Sequence, residues 1–194
     1  MAWSTDGIFW HPAPAHHSVS VIAQSHLRPS EEIHEDVRSL VAVGRTGPLH
    51  HDLFREAWEQ HYSNPRSAIV IGIAAAEIAV KKGITELVPE AEWLAINLPT
   101  PPLVRILAEY LPMLPARCLI DNRVVPPPES LLDCLRKGVT IRNQLSHAGT
   151  ASPSVDTVGE VLKAILDLLW LLDYYSGNEW ALKYVRPDTR SRLK

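Results

Sequence analysis

Cysteine is scarce in this sequence: 194 residues carry only Cys118 and Cys134. Two thiols without a metal-type spacing supply neither a disulfide framework nor a zinc ligand set, so the chain reads as intracellular with two reduced, buried thiols. An excess of one charge is also missing. A formal net charge of -3 and a pI near 6.3 argue against a protein that coats long stretches of nucleic acid, because such binding needs many Lys and Arg on phosphates. A small local site stays open. Long apolar runs are absent too: the stretches 68–80 and 158–170 are short, or interrupted by Glu77, Glu160, Lys163 and Asp167, and read as core helices rather than bilayer spans. The first residues, from Met1 to Asp6, lack the basic start and apolar run of a signal peptide, so the expected location is the cytoplasm.

What is present is ordinary for a folded domain. Hydrophobic residues at 46% and charged residues at 21% match globular proteins, and the length suffices for one sizeable core. Residues 1–29 hold Pro12, Pro14 and four of the nine histidines, with an alternating run from Ser18 to Ala23 that suits a strand. This segment is an arm or the remnant of something larger, and a helical domain is expected over residues 30–194, with its core at about 49–177.

From Ser30 the periodicity turns helical. Ser30 caps a helix over Glu31 to Val43, followed by Gly44 and the turn Gly47-Pro48. Leu49 to Tyr62 places Leu53, Phe54, Ala57, Trp58 and His61 three and four apart, one apolar stripe of a helix. Asn64 as cap and Pro65 at the first helical position open a helix that is apolar nearly all round, with Gly83 as its stop. Pro101-Pro102 restarts a helix through about Leu111, Pro126-Pro127-Pro128 launches one through His147 capped by Gly149, and the last long helix runs from Ser154 to Tyr175. Its inner side carries Val158, Val161, Leu162, Ile165, Leu168, Leu169 and Leu172. Trp180, Leu182, Tyr184 and Val185 fold back as a cover. The fold class is all-α, an up-and-down helical bundle with a Pro-rich N-terminal arm.

Chemistry concentrates in Ile141-Arg142-Asn143-Gln144-Leu145-Ser146-His147-Ala148-Gly149. Asn143 and His147 are four apart and share a helix face, while Arg142 lies about 140° round from His147, within reach of a long side chain. Imidazole exchanges protons near neutral pH, guanidinium forks onto phosphate oxygens, and a carboxamide orients either partner. Together they suffice for phosphodiester cleavage. A bare Arg-x4-His pattern is expected roughly 0.6 times by chance in this composition, and Arg45 to His50 is a second match; requiring Asn after Arg lowers the figure to roughly 0.02. The competing reading is a plain helix C-terminus, where His and Arg are favoured by the helix dipole.

At these residues the chain resembles the HEPN superfamily, helical domains whose signature is Arg, a polar residue, a short gap and His. The resemblance covers roughly residues 49–177: Asn64-Pro65-Arg66-Ser67-Ala68 leading into Ala74-Ala75-Ala76-Glu77, then the Arg142 to Gly149 motif, then an apolar closing helix. It implies a four-helix core and homodimers whose two motifs face each other. It also implies metal-independent RNA cleavage, with no cofactor, in many members, and binding or scaffolding without activity in others. Carried onto this sequence, His147 is the general acid or base, Arg142 stabilises charge on the phosphate and Asn143 positions substrate or histidine. The RNA's own 2′-hydroxyl would be the nucleophile, so DNA would be inert. A place in a prokaryotic defence or toxin-antitoxin system, with an antitoxin or regulatory partner protein, rests on the resemblance alone. A toxin subgroup of the family has tyrosine two residues after the histidine; Gly149 stands there instead, which removes regulation through that tyrosine. The alternative function is a non-catalytic module that dimerises or binds nucleotide or protein, and a third is a helical structural domain with a chance motif.

Three further residues enter as supporting candidates. Glu77, in an apolar helix, either pairs with Arg142 or forms a surface pair with Lys81. Arg136 and Lys137 lie near Arg142 and form a small positive patch for phosphates. No metal is expected: His11, His16 and His17 sit in a Pro-rich arm with no carboxylate or Cys to complete a set, and His50, His51 and His61 read as helix-start and stripe residues. Trp58, Trp93, Trp170 and Trp180 read as core and interface fillers rather than a stacking platform for bases.

Overall fold

A computed structural model describes residues 2–3, 11–12, 47–97, 99–148 and 152–193. The chain divides into two compact units at Thr46/Gly47. Within the first, the described residues form a two-residue antiparallel pairing of Ala2–Trp3 (β1) with His11–Pro12 (β2). The expected strand at 18–23, the helix at 31–43 and the boundary at 29/30 lie outside the described residues.

The second unit is an all-α bundle. Helix α1 (Leu49–Gln60) buries His50, Phe54 and Ala57 on one face, and His61 closes it by pairing its buried Nδ1 with the Trp58 carbonyl. Asn64 then caps α2 (Pro65–Leu87) by accepting the Ser67 amide at 3.2 Å, with Pro65 in the first turn, where its missing N–H costs nothing. The helix does not stop at Gly83. It continues to Leu87, with Gly83 buried inside it: a β-carbon there would stand 3.6 Å from Leu172 Cδ2, an ordinary contact.

Between 88 and 128 the chain is broken into short pieces. Helix α3 (Glu92–Asn97) exposes Trp93, Leu94 and Ile96, so Trp93 is not a core filler in this unit. Helix α4 (Leu103–Arg105) passes into a π-helical turn (Ile106–Tyr110) and a 3-10 turn (Leu111–Met113) instead of continuing as one helix to Leu111. Pro112 explains the change: it has no N–H for the Ala108 carbonyl, so the regular i to i+4 ladder cannot pass it. Leu103, Leu107, Leu111 and Leu114 are nonetheless all buried. Asp121 and Asn122, with φ of 48° and 63°, make a tight turn closed by Ile120 and Arg123, a conformation these two residue types tolerate.

Tyr175 ties this connector to the bundle. Its buried hydroxyl donates to the Val125 carbonyl at 2.6 Å and accepts the Val125 amide at 3.0 Å, just ahead of the three prolines that launch α5 (Glu129–Ala148). Gly149, the expected cap, lies outside the described residues. Ser154 caps α6 (Val155–Tyr175) through the Thr157 amide, and Gly177, at φ 111°, turns the chain after it. All seven inner-side residues expected for this helix are buried, each fully buried aliphatic side chain contributing about 1.5–3 kcal/mol. The 3-10 segment Glu179–Tyr184 stacks Trp180 and Tyr184 against Trp170. Arg186 and Thr189, the latter in α7 (Pro187–Arg190), then reach back to Asp167, a fully buried carboxylate that accepts the Arg186 amide (3.0 Å), Arg186 Nε (2.9 Å) and the Thr189 hydroxyl. No helix among the described residues is long and apolar enough to cross a membrane.

Candidate functional site

Close approach of helices positions the motif. Gly138 lacks the β-carbon that would stand 2.6 Å from Val161 Cγ1 and 2.9 Å from Ile73 Cδ1, so α5 lies against α2 and α6 at backbone distance. One turn further along each helix, Arg142 Nη2 donates to Glu77 Oε1, with only 17% of either side chain exposed. The spacing of four from Gly138 to Arg142 and from Ile73 to Glu77 makes these two contacts successive rungs of one packing ridge. Burial pushes the Glu77 carboxyl above its usual range, and the nearby charges of Arg142 and Lys81 oppose that without cancelling it.

The guanidinium is thus held by a single carboxylate oxygen, and its remaining N–H groups make no hydrogen bond among the described residues. Asn143 and His147 lie in the final turns of α5, exposed, with no side-chain hydrogen bond among the described residues. The helix therefore presents an imidazole and a carboxamide to solvent on one face, with the pinned guanidinium of Arg142 about 140° round from His147. Such a set can transfer a proton, orient a polar group and neutralise a phosphate oxygen. The supporting basic residues differ from each other. Arg136 is exposed and already paired with Asp133 and with Glu129 at 3.2 Å, so two carboxylates compete with any phosphate there; Lys137 is exposed on the same helix.

A second cluster joins α1 to α6. His51 Nε2 lies 2.7 Å from Asp173 Oδ2, and His50 Nε2 lies 3.9 Å from Asp173 Oδ1. Burial alone would raise the Asp173 carboxyl, but the imidazoles of His50 and His51 outweigh it and hold the group at about 2. Sequence reasoning placed both histidines on the helix and missed their partner, which is 122 residues away from His51. The available signal was a carboxylate inside the otherwise apolar run Leu171-Leu172-Asp173-Tyr174-Tyr175. A small apolar cavity between α2 and the 106–114 segment, walled by side chains such as Val80, Leu107 and Leu172, carries no titratable group and is not a reaction site.

Compared with family models, with curated proteins and with solved structures, the chain matches none.

Proposed function

We propose that the chain is a HEPN-type endoribonuclease that cleaves RNA without a metal, with Arg142, Asn143 and His147 as its reacting set and a second copy of the chain completing the site. The observation that supports this most directly is the Glu77–Arg142 pair, five residues before an exposed His147 on the same helix. A carboxylate fixes the partly buried guanidinium while leaving its other donors to meet a phosphate, and the imidazole is free to exchange protons with solvent or substrate. In this reading His147 removes the proton of the 2′-hydroxyl or delivers one to the departing 5′-oxygen, and Arg142 neutralises charge that builds on the phosphate. The products are a 2′,3′-cyclic phosphate and a 5′-hydroxyl. One chain supplies a single imidazole, whereas acid and base roles on one phosphate use two, and a homodimer with facing motifs provides both. A defence or toxin-antitoxin setting, with a regulatory partner protein, fits the same reading.

Purified chain and its His147→Ala variant, incubated with mixed single-stranded RNA in excess EDTA, test the assignment. Cleavage with cyclic-phosphate ends, lost in His147→Ala while circular dichroism is unchanged, is expected. Absence of wild-type cleavage on every RNA tried retires the catalytic reading in favour of a binding module.

A further inference from the structure

We infer that His50, His51 and Asp173 form a binding site for one zinc-class divalent cation, which clamps the start of α1 to the end of α6. One ligand atom from each residue falls within 4.8 Å of the other two. A metal about 2.0–2.2 Å from nitrogen and oxygen donors holds its ligands within about 4 Å of one another. The separations of 2.7 Å and 3.9 Å to the Asp173 oxygens already meet that limit, and the 4.8 Å bound on the whole set exceeds it by under 1 Å, which small side-chain rotations close.

His50 gives the second observation. Its side chain is only 4% exposed, and its Nδ1 is the one buried side-chain nitrogen or oxygen among the described residues that has no hydrogen-bond partner. Its other nitrogen faces Asp173 at 3.9 Å, too far for a hydrogen bond. A buried ring nitrogen with no hydrogen bond carries a desolvation cost that an apolar residue filling the same space would avoid. An ion shared by all three residues would engage Nε2 of His50, the nitrogen that faces the carboxylate.

The donor chemistry selects the ion. Two imidazole nitrogens and one carboxylate oxygen suit Zn2+, Co2+, Ni2+ or Cu2+, whereas Ca2+ and Mg2+ require sets built of oxygen. Three protein ligands leave a fourth position for water, which can enter because His51 and Asp173 are 19% and 17% exposed. The ring of His51 lies 4.8 Å from that of Trp170, so a paramagnetic ion at the site sits beside an indole that reports it. The cluster is built on α1 and α6 and the Arg142 motif on α5 and α2, so ion binding is a matter of stability, independent of cleavage in EDTA.

The test uses the full chain stripped with chelator, titrated with Zn2+ by calorimetry and with Co2+ by visible absorption and tryptophan emission. His11, His16 and His17 are changed to Ala throughout, to remove the other histidine cluster. One Zn2+ per chain, a thermal midpoint that rises with Zn2+ but not with Mg2+ or Ca2+, and Co2+ quenching of tryptophan are expected. Losing a direct ligand in His51→Ala or Asp173→Asn weakens Zn2+ binding by more than the roughly 10–100-fold typical of outer-shell changes. Circular dichroism of both variants separates this from unfolding, and His51→Cys, a competent ligand, restores binding. Absence of a one-to-one Zn2+ isotherm, or an affinity unchanged in folded His51→Ala and Asp173→Asn, overturns the site.

Discussion

Alanine at Gly138 and at Gly159 makes the same covalent change inside two long helices with opposite expected outcomes. In both, replacing glycine stiffens the unfolded chain and favours helix by about 1 kcal/mol. At Gly159 the new methyl meets nothing within 4 Å, so that gain appears undiminished. At Gly138 the methyl stands 2.6 Å from Val161 Cγ1 and 2.9 Å from Ile73 Cδ1, against an ordinary carbon contact of about 3.5–4.0 Å. Neither neighbour yields easily: both are β-branched, with one strongly preferred rotamer in a helix, and both are buried. Overpacking of this kind costs about 1–3 kcal/mol. The propensity gain cancels between the two variants, so Gly159→Ala exceeds Gly138→Ala in stability by the overpacking cost alone, about 1–3 kcal/mol. In a unit of about 150 residues that separates the thermal midpoints by roughly 2–12 °C. Urea titrations followed by far-UV circular dichroism give the difference directly. Equal stability of the two variants within about 0.5 kcal/mol would refute close backbone packing of α5, and with it the account of how Arg142 reaches Glu77.

Three other outcomes follow from the packing and electrostatics. Tyr175→Phe leaves the Val125 amide and carbonyl buried without their partner and lowers stability by about 1–3 kcal/mol; a urea midpoint unchanged from wild type contradicts the observed bonds. Arg142→Ala removes the principal charge holding down the already raised Glu77 carboxyl, which rises further. A raised acid stabilises the fold while protonated and loses that contribution as pH rises through its folded value. The variant's deficit against wild type therefore grows from acid toward neutral pH, and Glu77→Gln in the same background flattens it; a deficit independent of pH rejects the coupling. Asp173, held at about 2 against 3.8, contributes about 2 kcal/mol at about 1.36 kcal/mol per unit. For a depressed acid this is present above the unfolded value and lost as pH falls through about 2. Asp173→Asn in EDTA should thus cost stability at pH 6 and almost none near pH 2, which acid titrations monitored by tryptophan emission will decide.

Local signals were the legible ones. Asn64-Pro65 and Ser154 announce their helices because a cap is a contact between neighbours in sequence, and the inner stripe of α6 is fixed by periodicity. The motif residues could be placed on one helix for the same reason. Gly83 misled because a glycine that ends a helix and a glycine buried within one look identical until the opposing helix is known. The stop at Pro112 is legible, and the expected helix ends before it at Leu111; the π-helical turn over Ile106–Tyr110 is not. Glu77 presented two partners, Arg142 and Lys81, and only the crossing of α2 and α5 brings the first within reach. The His50, His51 and Asp173 cluster was out of sight for the strongest version of that reason: its members are too far apart in sequence for any pattern to join them.

The carboxylate of Asp167 has a consequence for motion. Among the described residues, every hydrogen bond to this charge at the centre of α6 comes from Arg186 and Thr189. A short segment of this kind ordinarily opens and closes many times before the domain unfolds. Here each opening strips a buried anion of all its hydrogen bonds at once, a penalty far larger than the few contacts of the segment itself. The Arg186 amide therefore belongs to the slowly exchanging, cooperative part of the molecule, and residues 186–189 move with the bundle's interior rather than as a fraying edge.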